Sequence, residues 1–354
     1  MTRLDRYIGA NVAIGFLAAL GGLLAIFSVI NLAEELSDTT GLYTPALAVW
    51  FVLMNLPSQA YELFGAAALV GSASGLALMA SHNELVAIFA AGVSPRGVIS
   101  AVLKTAVGLA VVAALLGELL AAPLSEQAAA TRSIALSGGQ SLATPRGIWA
   151  REGARFVNIR RSIADGSVVE DLYLYDFDEQ SRLERVTHAQ RAEYRDQRWL
   201  LRGVAEDLLS ESGVVRKNLP EAEWTTVLTP EQLYFLTLPP DQLSLADLRS
   251  SVSSMRQRGE SAQHHLLAFW HRMLMPLVAA IMVFLAVPVI LSMPQRVPFG
   301  YRVALAALLG IGFQMLNQTF GSFGLVYGLN PFLSASLPTG VALASGIWRL
   351  RSAF

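Results

Sequence analysis

The chain has 354 residues, 53% hydrophobic and only 15% charged, with a mean hydropathy of +0.46, against roughly 25% charged residues in a soluble domain. This is the composition of a polytopic membrane protein; the net charge of -1, pI near 6.5 and lack of a basic stripe exclude nucleic acid as partner. The absence of cysteine excludes disulfides, thiolate chemistry and Cys-type zinc sites, and neither lysine, Lys104 or Lys217, follows a glycine, so the chain has no Walker-type loop for ATP.

The first apolar run, Ile8 to Leu32, exceeds the about 20 residues a bilayer requires. No small-residue cleavage site follows, so it is expected to stay as an anchor. It ends in Glu34, Glu35 and Asp38 with no basic residue before the next apolar segment, as expected of an external connector. From Ala46 to Ala80 the chain is apolar for on the order of 50 Å of helix, against a core of about 30 Å, so part of it must protrude or break. The polar cluster Asn55, Pro57, Ser58, Gln59 and Glu62 places that part in the first half. Within the remainder, Gly71-Ser-Ala-Ser-Gly75 is either a small-residue face for a close helix neighbour or a flexible stretch.

Between this segment and the next, Ser81 to Arg96 predicts a short helix at 82–92. Asn83 or Ser81 can cap it, Glu84 lies in the first turn, and Gly92 can end it. Leu85, Ile88 and Phe89 share one face of this amphipathic rod. Two readings stand: a connector lying at the interface, or a joint that a separate ATPase grips, its groove filled by Leu85, Ile88 and Phe89 with Glu84 and Arg96 fixing orientation.

Val98 to Ala122 is the third span, with Glu118 near its outer end. From Pro123 to Gln263 the chain turns polar and strand-like, as in Phe156–Ile159, Leu172–Tyr175, Trp199–Leu201 and Glu223–Val227, with turn signals ending at Gly166 and Gly213. This predicts an all-β domain of sandwich or barrel kind, closed by a return helix over Leu243 to Arg258. Met273 to Met293, Val303 to Phe320 and Pro331 to Trp348 complete six spans. The expected division is therefore 1–122, 123–263 and 264–354.

Of 26 basic residues, 18 lie in or just beyond the β segment; the others are Arg3, Arg6, Arg96, Lys104, Arg296, Arg302, Arg349 and Arg351. All eight fall on one side if the amino terminus is cytoplasmic, which places both termini and the rod in the cytoplasm and the β domain outside. Near the outer level lie Asn31, Glu34, Glu35, Glu62, Glu118, Arg132 and Arg272. Arg132 and Arg272 can bind lipid phosphates, or Arg272 can snorkel beside Trp270 while Arg132 caps a helix end. Gln314, Asn317 and Gln318 in the fifth span fit interhelical hydrogen bonds. No catalytic set and no metal-ligand spacing is legible among the five histidines.

The chain resembles the lipopolysaccharide-export permeases of Gram-negative bacteria, the LptF/LptG family. The likeness is carried by Leu4-Asp-Arg-Tyr-Ile-Gly9, Asn83-Glu-Leu-Val86 with Ala91-Gly-Val-Ser94, Gly117-Glu118, Gly147-Ile-Trp-Ala-Arg151, Phe156–Ile159 and Phe323-Gly-Leu-Val-Tyr-Gly328. It implies six transmembrane helices with an inserted periplasmic β-jellyroll in the inner membrane. It also implies a heterodimer with an LptF-type permease, an LptB ATPase dimer carrying ATP and magnesium, and the partners LptC and LptA. The chain itself is expected to bind no cofactor. Glu84 matches the acidic residue of the family's coupling helix, and Arg132 an arginine associated with the lipid cavity. Relatives can carry lysine near the outer ends of the first two spans; this chain has Asn31 and Ser58 there, with Glu34, Glu35 and Glu62 nearby, and these are its candidate lipid contacts. Acidic groups at that rim would meet divalent cations or basic lipid substituents. Three functions compete: an ATP-driven permease extracting lipopolysaccharide, a membrane-anchored binding or scaffold module that moves no lipid, and a proton-driven carrier using Glu62 or Glu118.

Overall fold

A computed structural model describes residues 3–353 except 40–41, 137–141, 164–165, 179, 181, 196–197, 211–212, 227–229, 231–239, 258–260 and 295. The chain forms two compact units, one of Met1–Glu34, Val52–Ser125 and Leu266–Phe354, the other of Glu35–Phe51 and Glu126–His265. The helices are α1 Arg3–Ser37, α2 Pro45–Ser81, α3 Glu84–Ala90, α4 Pro95–Leu115 and, after a π-helical turn at Leu116–Ala121, α5 Ala122–Leu136; beyond the strands come α6 Leu245–Gln257, α7 Gln263–Leu291, α8 Phe299–Val326 and α9 Pro331–Ala353.

Five helical stretches, Arg3–Ser37, Pro45–Ser81, Pro95–Arg132, Gln263–Leu291 and Phe299–Val326, are long and apolar enough to cross a membrane. The sixth expected span corresponds to α9, a helix of 23 residues that is not among these five. Its serines, Pro338, Thr339 and the terminal Arg349 and Arg351 leave it less apolar than the other five. α2 does not break: it runs 37 residues straight through Pro57. Nor does the third span stop at Ala122, since helix continues through the π turn to Leu136.

In the helical unit, α1 buries Asp5, Ile8, Val12 and Phe16, one helical stripe confined to its first half. That stripe lies on α2 at the small-residue face. A Cβ on Gly71 would come 2.3 Å from the Phe16 Cα, and one on Gly75 would come 2.4 Å from the Asn11 carbonyl. Close packing, not flexibility, explains these glycines, and it lets the Phe16 and Phe64 rings approach to 4.7 Å. Most of the rest of the core comes from α2 itself, from α4 (Val98, Ala101, Val102, Ala106) and from α7, whose Ala279 to Ile290 is buried almost without interruption, with Ala306 and Phe313 of α8 and Ala342 of α9 added.

The second unit holds β1 Leu142–Glu152, β2 Arg155–Ile163, β3 Val168–Phe177, β4 Leu183–Arg195, β5 Arg198–Ser210 and β6 Gly213–Trp224, all antiparallel and in sequential order in one sheet. The predicted strands fall in β2, β3 and β5, whereas β6 ends at Trp224 and Val227 lies outside the described residues. The unit also includes residues 35–51, which the sequence division left with the membrane part. They belong here because Tyr43 and Ala48 pack with Ala135.

One face of the sheet is apolar, but simple alternation does not describe it. On that face the buried positions run Val157, Ile159, Ser162 in β2, Val169, Leu172, Leu174 in β3, Thr187, Ala189, Ala192 in β4 and Trp199, Leu201, Val204 in β5, each with one step of three, while Asn158 and Glu193 are buried outside this pattern. At that step two consecutive residues face away from the core: Arg160 and Arg161, Glu170 and Asp171, Gln190 and Arg191, Arg202 and Gly203. Arg161, Glu170, Arg191, Arg202 and Glu221 stand in register across five strands. The phase slip is thus one line across the sheet. It is marked by left-handed backbone at Asp171 (φ 52°) and Gly203 (φ 62°), and in the edge strand β6 by Pro220, which has no N–H to donate. Charges face each other along it: Arg161 lies 4.0 Å and Arg191 3.8 Å from Glu170, and Arg202 lies 3.5 Å from Glu221.

Candidate functional sites

The short rod exists where the sequence puts it. Asn83 occupies the N-cap position, but in left-handed conformation (φ 58°) and without a side-chain capping bond. Gly92 ends it as expected: at φ 86° its N–H meets the Phe89 carbonyl at 3.0 Å, and the Val93 N–H meets the Ile88 carbonyl at 3.3 Å, a Schellman closure. The apolar face is oriented differently from the expectation. Leu85 is buried, and Ile88 and Phe89 pack half-buried against the chain's own helical core. Leu85, buried in its own bundle, is not free to fill a partner's groove, and Ile88 and Phe89 are only partly so; the fully open face consists of Val86, Ala87 and Ala90. Arg96 is exposed.

Glu84 has an internal partner that sequence spacing could not reveal. The Tyr7 hydroxyl, from the start of α1, donates to Glu84 Oε2 at 2.8 Å, while His82 Nδ1 stands 3.9 Å from Oε1. Nearby in the sequence of α1, buried Asp5 accepts from Lys104 Nζ at 2.8 Å.

The two arginines read as phosphate ligands are both engaged within the protein. Arg132 donates from Nε to Glu35 at 2.7 Å and from Nη2 to Asp38 at 2.9 Å, and lies over the Tyr43 and Phe51 rings at 5.9 and 5.5 Å. Tyr43 adds a hydrogen bond to Glu35 at 2.7 Å, and burial, then this bond, push its phenol up to about 12. Glu35 is therefore a structural counter-charge, not a free lipid contact. Arg272 is 9% exposed, so it does not snorkel. Its Nη2 donates to the Gly117 carbonyl in the π turn, its Nε lies 3.6 Å from Glu118, and its guanidinium sits 5.4 Å from the Tyr61 ring. Tyr61 returns a hydrogen bond to the Arg272 carbonyl at 3.0 Å.

Of the remaining candidates, Asn31 and Ser58 are half-buried and Glu34 and Glu62 exposed. Next to Ser58 in the chain, Gln59 accepts from Ser28 at 3.0 Å, tying α1 to α2. Among the described residues no three His, Asp or Glu side chains gather to hold a metal ion, so the expected meeting of acidic rim groups with a divalent cation finds no preformed set. On α8, Gln318, Thr319 and Ser322 lie open beside the stacked Phe323 and Tyr327 rings, 5.8 Å apart, and Gln314 is half-buried.

The family described as "Lipopolysaccharide export system permease LptF/LptG" matches residues 6–352. The chain is 32% identical over 351 residues to the lipopolysaccharide export system permease protein LptG of Haemophilus influenzae, covering 98% of each chain. It is equally 32% identical over 351 residues to LptG of Escherichia coli K12, covering 98% of this chain and 97% of that one.

Proposed function

Because the chain belongs to the LptF/LptG family of lipopolysaccharide export permeases, we propose that it is the permease subunit of an ATP-driven machine that extracts lipopolysaccharide from the inner membrane. In this reading it pairs with an LptF-type permease and sits on an LptB dimer, which holds the ATP and magnesium. Lipid enters sideways between the two permeases, rises into the β unit, and passes to LptC and LptA. The eight flanking basic residues support cytoplasmic termini and a periplasmic β unit.

The observation that carries the proposal is α3: a seven-residue rod between two long helices, in a chain with no nucleotide loop, with Val86, Ala87 and Ala90 left open. A small, flat apolar face closed at one end by a carboxylate suits a groove with a basic rim. Ala87→Arg puts a long charged side chain on that face while keeping a good helix former. It is expected to abolish copurification of the ATPase and ATP-dependent lipid release, with the complex of the two permeases intact. Wild-type ATPase binding and lipid release in Ala87→Arg would show that the rod is only a connector and favour the scaffold function.

A further inference from the structure

We propose that Tyr7, with the Asp5–Lys104 pair behind it, is the joint through which α3 moves α1. The inference rests on reading α3 as the element an ATPase grips.

Three elements meet at the start of α1. The Tyr7 hydroxyl reaches Glu84 of α3 at 2.8 Å. Asp5, 7% exposed, holds Lys104 of α4 at 2.8 Å. One turn on, a Cβ on Gly9 would come 2.7 Å from the Thr105 hydroxyl, so the α1 backbone lies directly on α4. The base of α1 is held between the rod and the helix that follows it.

Glu84 has the geometry of a bridge. A carboxylate offers acceptor sites on both oxygens. Oε2 takes the Tyr7 hydroxyl, whereas among the described residues Oε1 has only His82 at 3.9 Å, beyond hydrogen-bond distance. A partner's cation can therefore dock on Oε1 without displacing Tyr7, and a pull on that carboxylate passes to α1 through Oε2. Leu85, fixed in the bundle core, keeps the rod from simply rotating under the load.

α1 is built to amplify what its base receives. Its fully buried side chains end at Phe16; farther on Leu20 and Leu23 pack half-buried on the core and Ser28 bonds Gln59 of α2 at 3.0 Å, while Leu17, Ile26, Val29 and Ile30 are exposed. From Phe16 to Ser37 is about 32 Å of helix, so tilting the base by roughly 10° against these lighter contacts moves the far end by about 5 Å. Tyr7 is thus a positioning residue: its contribution lies in how much α1 moves for each stroke.

The test uses the complete complex in proteoliposomes, with three readings: ATPase copurification, ATP turnover, and lipopolysaccharide released per ATP. Tyr7→Phe removes only the hydroxyl. ATPase copurification and turnover are expected to stay at wild-type levels, while lipid released per ATP falls about tenfold, the effect of losing one hydrogen bond to a charged acceptor. Because Tyr7 acts through Glu84, Tyr7→Phe combined with Glu84→Gln should be no worse than the poorer single variant. Lys104→Met should reproduce the uncoupling, and Asp5→Lys with Lys104→Asp, which reverses the pair, should recover part of it. Wild-type lipid release per ATP in Tyr7→Phe, or losses that multiply in the double variant, overturns the joint. These outcomes are distinct from ATPase binding that survives Ala87→Arg, which overturns the docking reading instead.

Discussion

Gly71→Ala and Gly108→Ala are the same chemical change with opposite expected signs. At Gly71 the added methyl would sit 2.3 Å from the Phe16 Cα, 2.5 Å from its nitrogen and 2.6 Å from the Gly15 carbonyl, all backbone atoms that cannot rotate away. Carbon pairs rest at about 3.5 to 4.0 Å, so α1 must withdraw by roughly 1.5 Å. That separates Phe16 from Phe64 and thins the buried stripe that packs the first half of α1. Overpacking of this kind costs about 1 to 3 kcal/mol. At Gly108 nothing lies within 4 Å, and alanine gains about 1 kcal/mol of helix propensity. Thermal unfolding in one detergent, followed by tryptophan fluorescence, should show Gly71→Ala melting a few degrees below wild type and Gly108→Ala at or above it. Equal shifts in the same direction would refute close backbone packing as the reason for glycine at position 71.

The β unit offers a second glycine test. A side chain at Gly203 requires φ near +62° and brings its Cβ 2.9 Å from Gln190 Oε1, so Gly203→Val should destabilise that unit by more than about 1 kcal/mol, while Gly153→Asn, in open space at a hairpin, should be tolerated in the same melting assay. Tyr43 sets an alkaline limit: its folded-state pKa, raised from 10.0 to about 12, means the stability it contributes is complete below pH 10 and lost as pH rises through 12. Ultraviolet titration of phenolate should therefore show a late component that is smaller by one tyrosine in Tyr43→Phe. Orientation is checked by cysteine labelling: Ser167→Cys should react with an impermeant reagent from the periplasm and Ser94→Cys should not, and the reverse would invert the topology.

Helices and rod were legible because apolar runs, the Gly92 stop and the small-residue face are local signals. The third span was read short, since Pro123 and the polar residues after it look like an ending, whereas proline in the first turn after a π segment leaves the helix intact. In the sheet, the strands were visible but their inward residues were not. A period of two holds only until the phase slip, and each strand slips where its neighbours do. That line is set by pairing between strands, which no single segment records. Site residues show the same division. Glu84 stood out by its place in a first turn, while Tyr7, 77 positions away, gave no signal that it would be the partner. The rod's apolar face was assigned correctly by spacing, but spacing does not say whether a face turns to a partner or to the chain's own core.

Arg272 separates a lipid ligand from a structural lock. The π turn displaces backbone carbonyls from the regular ladder, and Arg272 donates to one of them, at Gly117. A Cβ at Gly117 would come 2.4 Å from the Tyr61 ring, and Tyr61 in turn donates to the Arg272 carbonyl at 3.0 Å. α2, the π turn and α7 are closed on one another through this arginine. Arg272→Met keeps the apolar stem and removes the guanidinium, at an expected cost of about 2 kcal/mol for the hydrogen bond to a charged donor. If the lock is the role, melting temperature falls by the same amount with and without saturating lipopolysaccharide, because lipid affinity is unchanged. A phosphate ligand would instead leave the lipid-free protein near wild type and shrink only the stabilisation that lipid adds. The same comparison for Arg132→Met, which strips Glu35 and Asp38 of their partner, should give parallel losses too. If in either variant the lipid-dependent part alone disappears, that arginine belongs to the lipid path after all.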